Sequence, residues 1–378
     1  MKQLLGTKKI CESRKKMKKE TVLYIGGFQL PEKNAAALRV VANAKILREL
    51  GYRVVFLNAL VDSNTEKVQY VQYHGFKCIE YKRESQVEYL LSSKRVISAL
   101  KKTKAKILIA YNYPAIALEK IRFYCHKNNI KCYADATEWY VPEGNPIFCL
   151  VKTIDTELRM RYVQPRLDGV IAISKYLYKF YENKVHTVQI PPLVDCQEKK
   201  WKNPVKKNHH GIKLIYAGSP SAQKERLDLI VKAVENQRRN TEISLDVIGI
   251  TKEQFESMYD CSYKGERVRF HGRISNTDVI QMTKSANWAV ILREKNKVVQ
   301  AGFPTKVAEA ISCKTPIIAN KFSNIEDYLD SSNSILIDDI GMIGDAIEKA
   351  STENTFVDEK VFDYRNYIND LASFISAK

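Results

Sequence analysis

The sequence predicts an α/β protein made of two doubly wound domains, each a parallel sheet covered by helices. Short apolar runs alternate with stretches of helical spacing along most of the 378 residues, a rhythm typical of βαβ units. A glycine turn follows the first apolar run of each half, at Gly26-Gly27 and at Gly218. Between the halves, residues 192–211 are polar and lack periodicity, which marks the domain boundary.

The first half carries this alternation from residue 20 to residue 191, after a lysine-rich stretch over residues 1–19. That stretch is expected to form a basic arm, either disordered or lying on a membrane surface. Strands are predicted at 21–25, 52–57, 77–81, 107–111, 131–134, 169–173 and 186–190, and helices at 34–50, 87–100, 116–126, 146–162 and 176–181.

The second half repeats the plan over residues 212–352, and residues 353–378 carry one last amphipathic helix outside the rhythm. Strands are predicted at 212–216, 245–248, 268–270, 288–292, 315–318 and 335–337, and helices at 225–234, 252–258, 277–284, 304–311, 342–349 and 363–375.

Composition excludes several classes of protein. No run approaches the roughly 20 apolar residues of a membrane span, and no apolar segment near the first residue indicates a secretory signal. The eight cysteines show no CxxC pairs, so we expect reduced thiols in a cytoplasmic protein. The net charge of +18 is explained equally by solubility with a basic tail and by an anionic partner, which would be a membrane surface, a lipid pyrophosphate acceptor or a nucleotide sugar. Nucleic acid is not favoured, because the basic residues do not alternate with aromatic ones.

The stretch 288–313 is the most informative part of the chain. An apolar strand is followed by a polar loop, then by Gly302-Phe303-Pro304 at the start of a helix. The first amides of that helix form a ready anion site beside Thr305 and Lys306. Glu309, one turn later, could meet a hydroxyl next to the anion. A nucleotide sugar carries phosphate groups next to polyol hydroxyls, so a site that binds both side by side favours such a ligand.

Further candidates follow neighbouring strands, whose carboxyl ends gather at one crevice in a doubly wound sheet. In the second half these loops contribute cations suited to a diphosphate: Lys224, Arg273, Arg293 and Lys306. In the first half Asp135 or Glu138 could act as a general base, although a helix cap or a hydrogen bond to a backbone turn is the favoured explanation of such carboxylates. The Gly26-Gly27 turn is expected to border the acceptor side, with close helix packing as the favoured reason for glycine. No P-loop, serine elbow, zinc motif or Asp-x-Asp metal motif is present, and we expect no metal ion.

An ordered set of segments resembles glycosyltransferase family 4, whose members have the GT-B fold. They are Asp168-Gly169-Val170-Ile171-Ala172-Ile173-Ser174, Ile190-Pro191-Pro192-Leu193-Val194-Asp195, Tyr216-Ala217-Gly218-Ser219-Pro220 with Lys224, Phe270-His271-Gly272-Arg273, and Ala301-Gly302-Phe303-Pro304-Thr305-Lys306 with Glu309. The chain looks most like bacterial members that build capsule or other surface polysaccharides.

The resemblance implies two Rossmann-like domains facing across a cleft, with the final helix crossing back to the first domain. It implies retaining transfer from a UDP- or GDP-linked sugar to a glycan or lipid-linked acceptor at the inner face of the plasma membrane. Lys224 would hold the diphosphate and Glu309 the donor ribose. The remaining donor-side positions implied in this way are Gly218, Ser219, His271, Arg273, Gly302, Phe303, Pro304, Thr305 and Lys306.

Two departures from the family pattern affect this expectation. Ala301 stands where the family usually has a glutamate that contacts the donor sugar, and Ser219 stands where it often has an arginine. Arg293 is expected to supply one of the missing charges and is our third catalytic candidate, beside Asp135 and Glu138. Two alternatives therefore stay open: a partner subunit that has lost catalysis, and a sugar-nucleotide epimerase.

Overall fold

The chain divides into two compact units. The structure is a computed structural model that describes residues 20–61, 67–83, 85–142, 144–205, 211–237, 242–350 and 356–377. The first unit comprises Met1–Ile173, Leu177–Ile190 and Tyr367–Lys378, and the second comprises Ser174–Tyr176 and Pro191–Asn366. The segment 192–211, predicted as a linker, thus belongs to the second unit, and the basic arm at residues 1–19 lies outside the described residues.

The first unit is built on a sheet whose described strands follow the order β3-β4-β2-β1-β5-β6-β7-β8. All neighbours are parallel except β3 and β4. The strands are β1 Thr21–Gly26, β2 Arg53–Leu60, β3 Gln69–Tyr73, β4 Phe76–Lys82, β5 Ile107–Tyr111, β6 Lys131–Ala136, β7 Gly169–Ala172 and β8 Thr187–Gln189.

The hairpin of β3 and β4 was not predicted from the sequence. Its two-residue turn, His74-Gly75, has φ of +50° and +79°, the conformation that suits the twist of a tight hairpin. The strand β3 is largely exposed at the edge of the sheet, so it lacks the apolar run that identified the other strands.

Helices cover the faces of this sheet. They are Ala35–Glu49, Gln86–Leu91, Lys94–Thr103, Ala115–Lys127, Pro146–Leu158, Lys175–Tyr181 and Ile368–Ser376. The helix predicted over 87–100 is two helices, because Ser92 ends the first with an extended backbone and the second begins after Ser93, which makes no side-chain capping bond. Within the described part of the chain, none of the helices is long and apolar enough to cross a bilayer.

The final helix belongs to the first unit, as predicted. Its Phe374 ring lies 5.0 Å from that of Tyr133 and stacks on His186 at 4.8 Å. A Cβ atom on Gly169 would lie 2.7 Å from the same ring, so this close approach requires glycine.

The second unit contains a parallel sheet whose described strands follow the order β11-β10-β9-β12-β13-β14. Its core is aliphatic, with Leu214, Val247 and Val290 fully buried. The strands are β9 Ile212–Ala217, β10 Ile243–Ile248, β11 Val268–Phe270, β12 Trp288–Ile291, β13 Ile317–Asn320 and β14 Ser334–Ile337. The helices are Lys199–Lys202, Leu227–Glu235, Lys252–Tyr259, Asn276–Ser285, Lys297–Ala301, Thr305–Ser312 and Ile343–Glu348.

Candidate functional site

The strand order of the second unit identifies the carboxyl ends of β9 and β12 as a candidate ligand-binding position. The strand β9 lies between β10 and β12, so the direction of the chain connections reverses between β9 and β12. In doubly wound sheets, ligands bind at the carboxyl ends of the strands at this point. Gly218 follows β9 directly, and Arg293 lies two residues beyond β12.

The turns after β9, β10 and β11 pack against one another at this edge. The Gly218 amide donates to the carbonyl oxygen of Ile248 at 3.0 Å, and the Gly249 amide donates to that of Gly272 at 2.7 Å. A Cβ atom on Gly249 would lie only 2.4 Å from the Gly218 oxygen, so these backbones touch because they carry no side chains. The predicted loops at Gly218 and His271–Arg273 therefore share one edge of the sheet.

A buried carboxylate, Glu225, joins the predicted cations. Its Oε1 atom accepts hydrogen bonds from Lys306 Nζ at 2.7 Å and from Arg293 Nη2 at 2.8 Å. The Tyr216 hydroxyl donates to its Oε2 atom, and Lys306 Nζ also donates to the Tyr216 hydroxyl at 2.8 Å. The side chains of Glu225, Arg293 and Lys306 are 4%, 11% and 13% exposed. The structure thus brings Arg293 and Lys306 together, and it neutralises part of their charge.

Main-chain pairing fixes this arrangement. The Arg226 amide donates to the Leu292 carbonyl at 2.9 Å, and the Glu294 amide donates to the Lys224 carbonyl at 3.1 Å, so Glu225 lies opposite Arg293. The buried amide of Asn320 then bonds both the N–H and the C=O of Arg293, at 2.8 and 2.9 Å. The cluster is therefore preorganised by the backbone.

Burial and charge shift the pKa values in opposite directions. Burial alone would raise the pKa of Glu225, but Lys306 and Arg293 outweigh it and lower that pKa to about 2. Burial lowers the pKa of Lys306, and Glu225 opposes this shift. Burial and the adjacent Glu225 raise the pKa of Tyr216, which keeps its phenol protonated as a donor. With a pKa of about 2, Glu225 is ionised at neutral pH and faces the basic side chains of Lys306 and Arg293.

A helix begins beside this cluster, as predicted. The helix is Thr305–Ser312, and its N-cap residue Pro304 makes no side-chain capping bond. The Val307 amide donates to the Pro304 carbonyl at 3.1 Å, whereas the amides before it stand at the helix start, where backbone N–H groups lack an acceptor one turn earlier and can bind an anion. Lys306 projects from this turn to Gly218, where a Cβ atom would lie 3.1 Å from its Nζ atom.

The two other predicted cations are in different surroundings. Lys224 is half-buried, and among the described residues its ammonium group has no acidic partner. Arg273 is exposed on the loop after β11. Neither charge is neutralised by Glu225, so both remain able to meet an incoming anion.

The remaining donor-side candidates divide into accessible and buried positions. Ser219 is exposed, while Gly302, Thr305 and Glu309 are partly accessible. His271 bonds the buried Asp246 at 2.7 Å, which orients its ring. The side chains of Phe303 and Pro304 are buried, and Phe303 packs edge-on against Tyr328 at 5.4 Å. The side chains of these two residues therefore pack in the core beneath the helix start and do not face a ligand.

Replacing Gly218 by alanine is expected to destabilise the protein and weaken anion binding. Its φ of +143° strains any other residue by about 1–3 kcal/mol, and the new methyl would lie 3.0 Å from Lys306 Cε. Urea unfolding and nucleotide titration measure the two effects. Gly51→Ala is the matched control, because Gly51 has φ of +90° with no atom within 4 Å of its Cβ position. If both variants bind nucleotide equally well, the position of Lys306 against Gly218 does not contribute to nucleotide binding.

Asp135, the predicted base in the first unit, is fully buried. Its Oδ1 atom binds Arg39 through Nη2 at 2.7 Å and Nε at 2.8 Å. The Tyr24 hydroxyl donates to its Oδ2 atom, and Asn43 lies at 3.4 Å from the same atom. Arg39 also donates to the carbonyl of Ile190 at 2.8 Å. This placement gives Asp135 a structural role that ties β6 to β1 and to the helix Ala35–Glu49.

The other first-unit candidates lie at the carboxyl ends of strands. Glu138 is half-buried in the loop after β6. Gly26 is buried, and a Cβ atom there would lie 2.6 Å from the Phe28 ring, whereas Gly27 is exposed. Close packing therefore explains Gly26, while Gly27 is accessible to a ligand.

Sequence reasoning missed Glu225, Tyr216 and Asn320 as members of the cluster. Glu225 looked like the first residue of a helix, and Tyr216 looked like a core strand residue. One signal was available: Glu225 adjoins Lys224 in a loop that otherwise collects cations. Only the pairing of residues 224–226 with 292–294 shows that this carboxylate lies among them.

Comparison with protein families agrees with this geometry. Residues 197–365 match the family model of glycosyl transferases group 1. The match confirms the prediction of a glycosyltransferase in the part of the chain that holds the cluster. Among curated proteins, none matches this sequence.

Solved structures share the architecture over nearly the whole chain. Sucrose-phosphate synthase from Thermosynechococcus elongatus superposes with a TM-score of 0.70 at 14% identity, covering 94% of this chain and 98% of that one. HepE from Anabaena in complex with UDP and glucose gives 0.65 at 13% identity, covering 94% and 99%. An E. coli structure described as trehalose-6-phosphate bound with UDP-2-fluoro glucose gives 0.66 at 9% identity, covering 95% and 100%. The two Rossmann-like units therefore form the predicted GT-B fold.

Proposed function

We propose that this protein is a retaining glycosyltransferase of family 4. It transfers a sugar from a UDP- or GDP-linked donor to a glycan or lipid-linked acceptor in the synthesis of bacterial capsule or another surface polysaccharide. One observation carries the proposal. At the topological switch of the second unit, Arg293 and Lys306 meet the open start of the helix Thr305–Ser312.

The donor diphosphate would bind where these groups converge. Its negative charge would face the helix amides, Lys306 and Lys224, which are charge-assisted donors. Glu309 lies one helical turn after Lys306 and is partly accessible, so it would accept a hydrogen bond from the donor ribose. Ser219, His271 and Arg273 lie on loops of the same edge and would contact the rest of the nucleotide.

The same cations would assist the chemical step. When the bond between the sugar carbon and the diphosphate oxygen breaks, negative charge develops on the leaving phosphate. Arg293 and Lys306 are held by Glu225 before the reaction, so they stabilise this charge without rearranging. The acceptor oxygen bonds to the same face of the sugar carbon and loses its proton to the leaving phosphate. No protein base and no metal ion are required, which agrees with the burial of Asp135.

The first unit would hold the acceptor near the inner face of the plasma membrane. Gly27 is exposed at the end of β1, and the partly buried Glu138 follows β6. Both residues lie at carboxyl ends of parallel strands, the edge at which doubly wound domains bind ligands.

Lys224→Ala is expected to weaken UDP or GDP binding about tenfold to a hundredfold, the loss of one charge-assisted contact. It should leave stability unchanged, because no acidic side chain pairs with Lys224 within the described part of the chain. Thermal shift with a panel of nucleotide sugars measures binding. A ligand at about 100 times its Kd should stabilise the wild type by about 2.7 kcal/mol.

The matched control is Lys232→Ala, an exposed lysine on the helix Leu227–Glu235 of the same unit. This variant also removes one lysine charge, but from a position outside the loops that follow the strands of the second unit. Equal loss of affinity in both variants would indicate a diffuse charge effect and contradict a diphosphate site at Lys224.

A second candidate is a partner subunit that binds nucleotide without transfer. Two observations favour it: Ala301 is fully buried, and Glu225 bonds two of the cations. Isotope-labelled donor supplied with lipid-linked acceptors separates the two candidates. Tight nucleotide binding with neither transfer nor donor hydrolysis would support the partner subunit.

A further inference from the structure

A buried arginine of the first unit, Arg159, lacks partners for most of its donors. The residue is 5% exposed, and its Nη1 atom donates to the Asn112 carbonyl oxygen at 2.9 Å. Within the described part of the chain, its Nε and Nη2 atoms are buried and have no hydrogen-bond partner. A guanidinium stays charged in proteins, and a buried charge without a partner is costly. Arg159 is therefore ready to bind an anion that the described chain does not supply.

The guanidinium lies at the edge of the sheet where parallel strands bind ligands. Asn112 directly follows β5, and its Nδ2 atom donates to Thr137 Oγ1 at 2.6 Å in the loop after β6. The Thr137 amide donates back to Asn112 Oδ1 at 3.2 Å. Glu138, the next residue of that loop, is the accessible carboxylate of the acceptor side. Doubly wound domains bind ligands at these carboxyl ends, so Arg159 is placed to contact an acceptor.

The backbone is irregular at both ends of the bond between Arg159 and Asn112. The helix Pro146–Leu158 continues into a π-helical turn, Arg159–Val163, and such turns are frequent at functional sites. Asn112 has φ of +40°, a region that asparagine enters more readily than most residues. The chain thus departs from regular structure at the two positions that hold this guanidinium beside the strand-end loops.

A second basic residue, Lys152, lies on the same side of the helix Pro146–Leu158. It is half-buried and precedes the buried Asp155 by three residues and Arg159 by seven, a spacing that aligns all three side chains. Burial lowers the pKa of Lys152, Asp155 opposes this shift, and the charges of Arg159 and Arg83 add to it. Lys152 is therefore close enough to both arginines to bind one anion together with them.

The third basic residue, Arg83, links this place to the end of β1. Its guanidinium lies 4.5 Å from the centre of the Tyr89 ring. Burial raises the pKa of Tyr89, while the charges of Arg83 and Arg159 act against this shift. A Cβ atom on the exposed Gly27 would lie 4.0 Å from the Tyr89 hydroxyl oxygen. A ligand that reached Arg159 past Gly27 would therefore meet an aromatic ring and a second arginine.

Two carboxylates lie near these cations and leave Arg159 unpaired. Asp155 Oδ1 accepts a hydrogen bond from the Ala115 amide at 2.8 Å, so it caps the helix Ala115–Lys127. Glu138 is half-buried, and its charge acts on Lys152. Among the residues that the structure describes, neither carboxylate forms an ion pair with Arg159. The free donors of Arg159 thus select a ligand that brings its own negative charge.

We propose that Arg159, Lys152 and Arg83 form a site for a phosphoryl group carried by the acceptor. The Nε and Nη2 atoms of an arginine form a fork that matches two phosphate oxygens, and both are free in Arg159. The proposal deepens the proposed function, on which it rests, by naming the acceptor as an anionic one. Its phosphoryl group belongs to a soluble sugar phosphate or to a lipid pyrophosphate, which share this chemistry.

The first test is calorimetric titration of the full chain with inorganic pyrophosphate, in saturating UDP or GDP so that the donor site is filled. The wild type should bind pyrophosphate in addition to nucleotide, and Arg159→Met should bind it at least about tenfold more weakly. Methionine keeps an apolar side chain of similar length and removes the charge. The matched control is Arg161→Met in the same π-helical turn, whose side chain is 50% exposed. This control should bind pyrophosphate like the wild type.

Transfer assays separate the two sources of the phosphoryl group. Isotope-labelled donor is supplied with a sugar phosphate, with the same sugar on polyprenyl pyrophosphate, or with a neutral glycan. The wild type should use one of the two anionic acceptors, and that acceptor identifies the source. Arg159→Met should raise the KM for it at least about tenfold and change kcat less, because the contact is made by a group remote from the reacting atoms. Efficient use of the neutral glycan alone would overturn the proposal.

The binding experiment also has results that would overturn the site. Either the nucleotide-saturated wild type binds no pyrophosphate, or Arg159→Met and Arg161→Met bind it equally well. Lys152→Met guards against a loss caused by unfolding: if Arg159→Met melts at a lower temperature and Lys152→Met binds like the wild type, Arg159 is structural. Nucleotide binding without pyrophosphate binding contradicts the anionic acceptor alone, whereas pyrophosphate binding without nucleotide binding contradicts the proposed donor.

Discussion

Asp135→Asn is expected to lower the free energy of unfolding by about 3–5 kcal/mol, because it leaves a buried arginine without its counter-charge. Arg39 is 3% exposed and binds Asp135 through two nitrogens. Burial and the carboxylate together raise the pKa of Tyr24, so the neutral tyrosine keeps donating and cannot replace the lost charge. Urea unfolding followed by circular dichroism measures the loss.

The control for Asp135→Asn is Glu182→Gln, which breaks the exposed ion pair with Lys179. Exposed pairs contribute about 0–1 kcal/mol, so this variant should unfold close to the wild type. Adding Arg39→Met to Asp135→Asn should recover part of the stability by removing the unpaired charge. An Asp135→Asn protein that is fully stable but inactive would instead support the role of general base predicted from the sequence.

Glu225→Gln is expected to destabilise the second unit by about 3–5 kcal/mol, since Lys306 and Arg293 then repel each other in a buried site. The effect should depend on pH. The pKa of Glu225 is about 2 in the folded protein against an ordinary value of 4.5. Because the folded pKa is lowered, the wild type has this stability in full above pH 4.5 and loses it as the pH falls towards 2. The variant should therefore lose less stability than the wild type over this range.

A bound diphosphate should partly rescue Glu225→Gln, because its charge replaces that of the lost carboxylate. Saturating donor is expected to raise the melting temperature of the variant more than that of the wild type. The control is Glu294→Gln, whose exposed pair with Arg226 lies in the adjoining loop. Equal stabilisation of wild type and Glu225→Gln by donor would show that the phosphates bind away from Lys306 and Arg293.

Much of the fold was predictable because the signals are local. The apolar runs at β1, β9 and β12, the glycine turns after β1 and β9, and Pro304 before a helix all depend on neighbours in the chain. The strand β3 was missed because it lies at a sheet edge and carries few buried residues. The break at Ser92-Ser93 was missed because both segments share one helical spacing.

The candidate site was predictable to the level of loops. Gly218, Lys306 and Arg293 follow strand ends, so the doubly wound plan alone brings them to one edge. The sequence could not show which cations would be neutralised, since Glu225 reaches Arg293 through pairing of segments 68 residues apart. Asp135 illustrates the same limit: a carboxylate predicted at the end of a strand looks accessible, but it lies within β6 and is covered by Arg39 and Tyr24.

The sequence by itself determined the two α/β units and the set of basic loops, because hydrophobic periodicity and turn residues act over a few positions. The tertiary structure decided where each charge lies and what it meets. It placed Glu225 beside two basic side chains, buried Asp135 against Arg39, and left Ile147, Leu150 and Ile154 exposed on the helix Pro146–Leu158. Burial and charge pairing depend on segments far apart in the chain, so they are fixed only when those segments pack together.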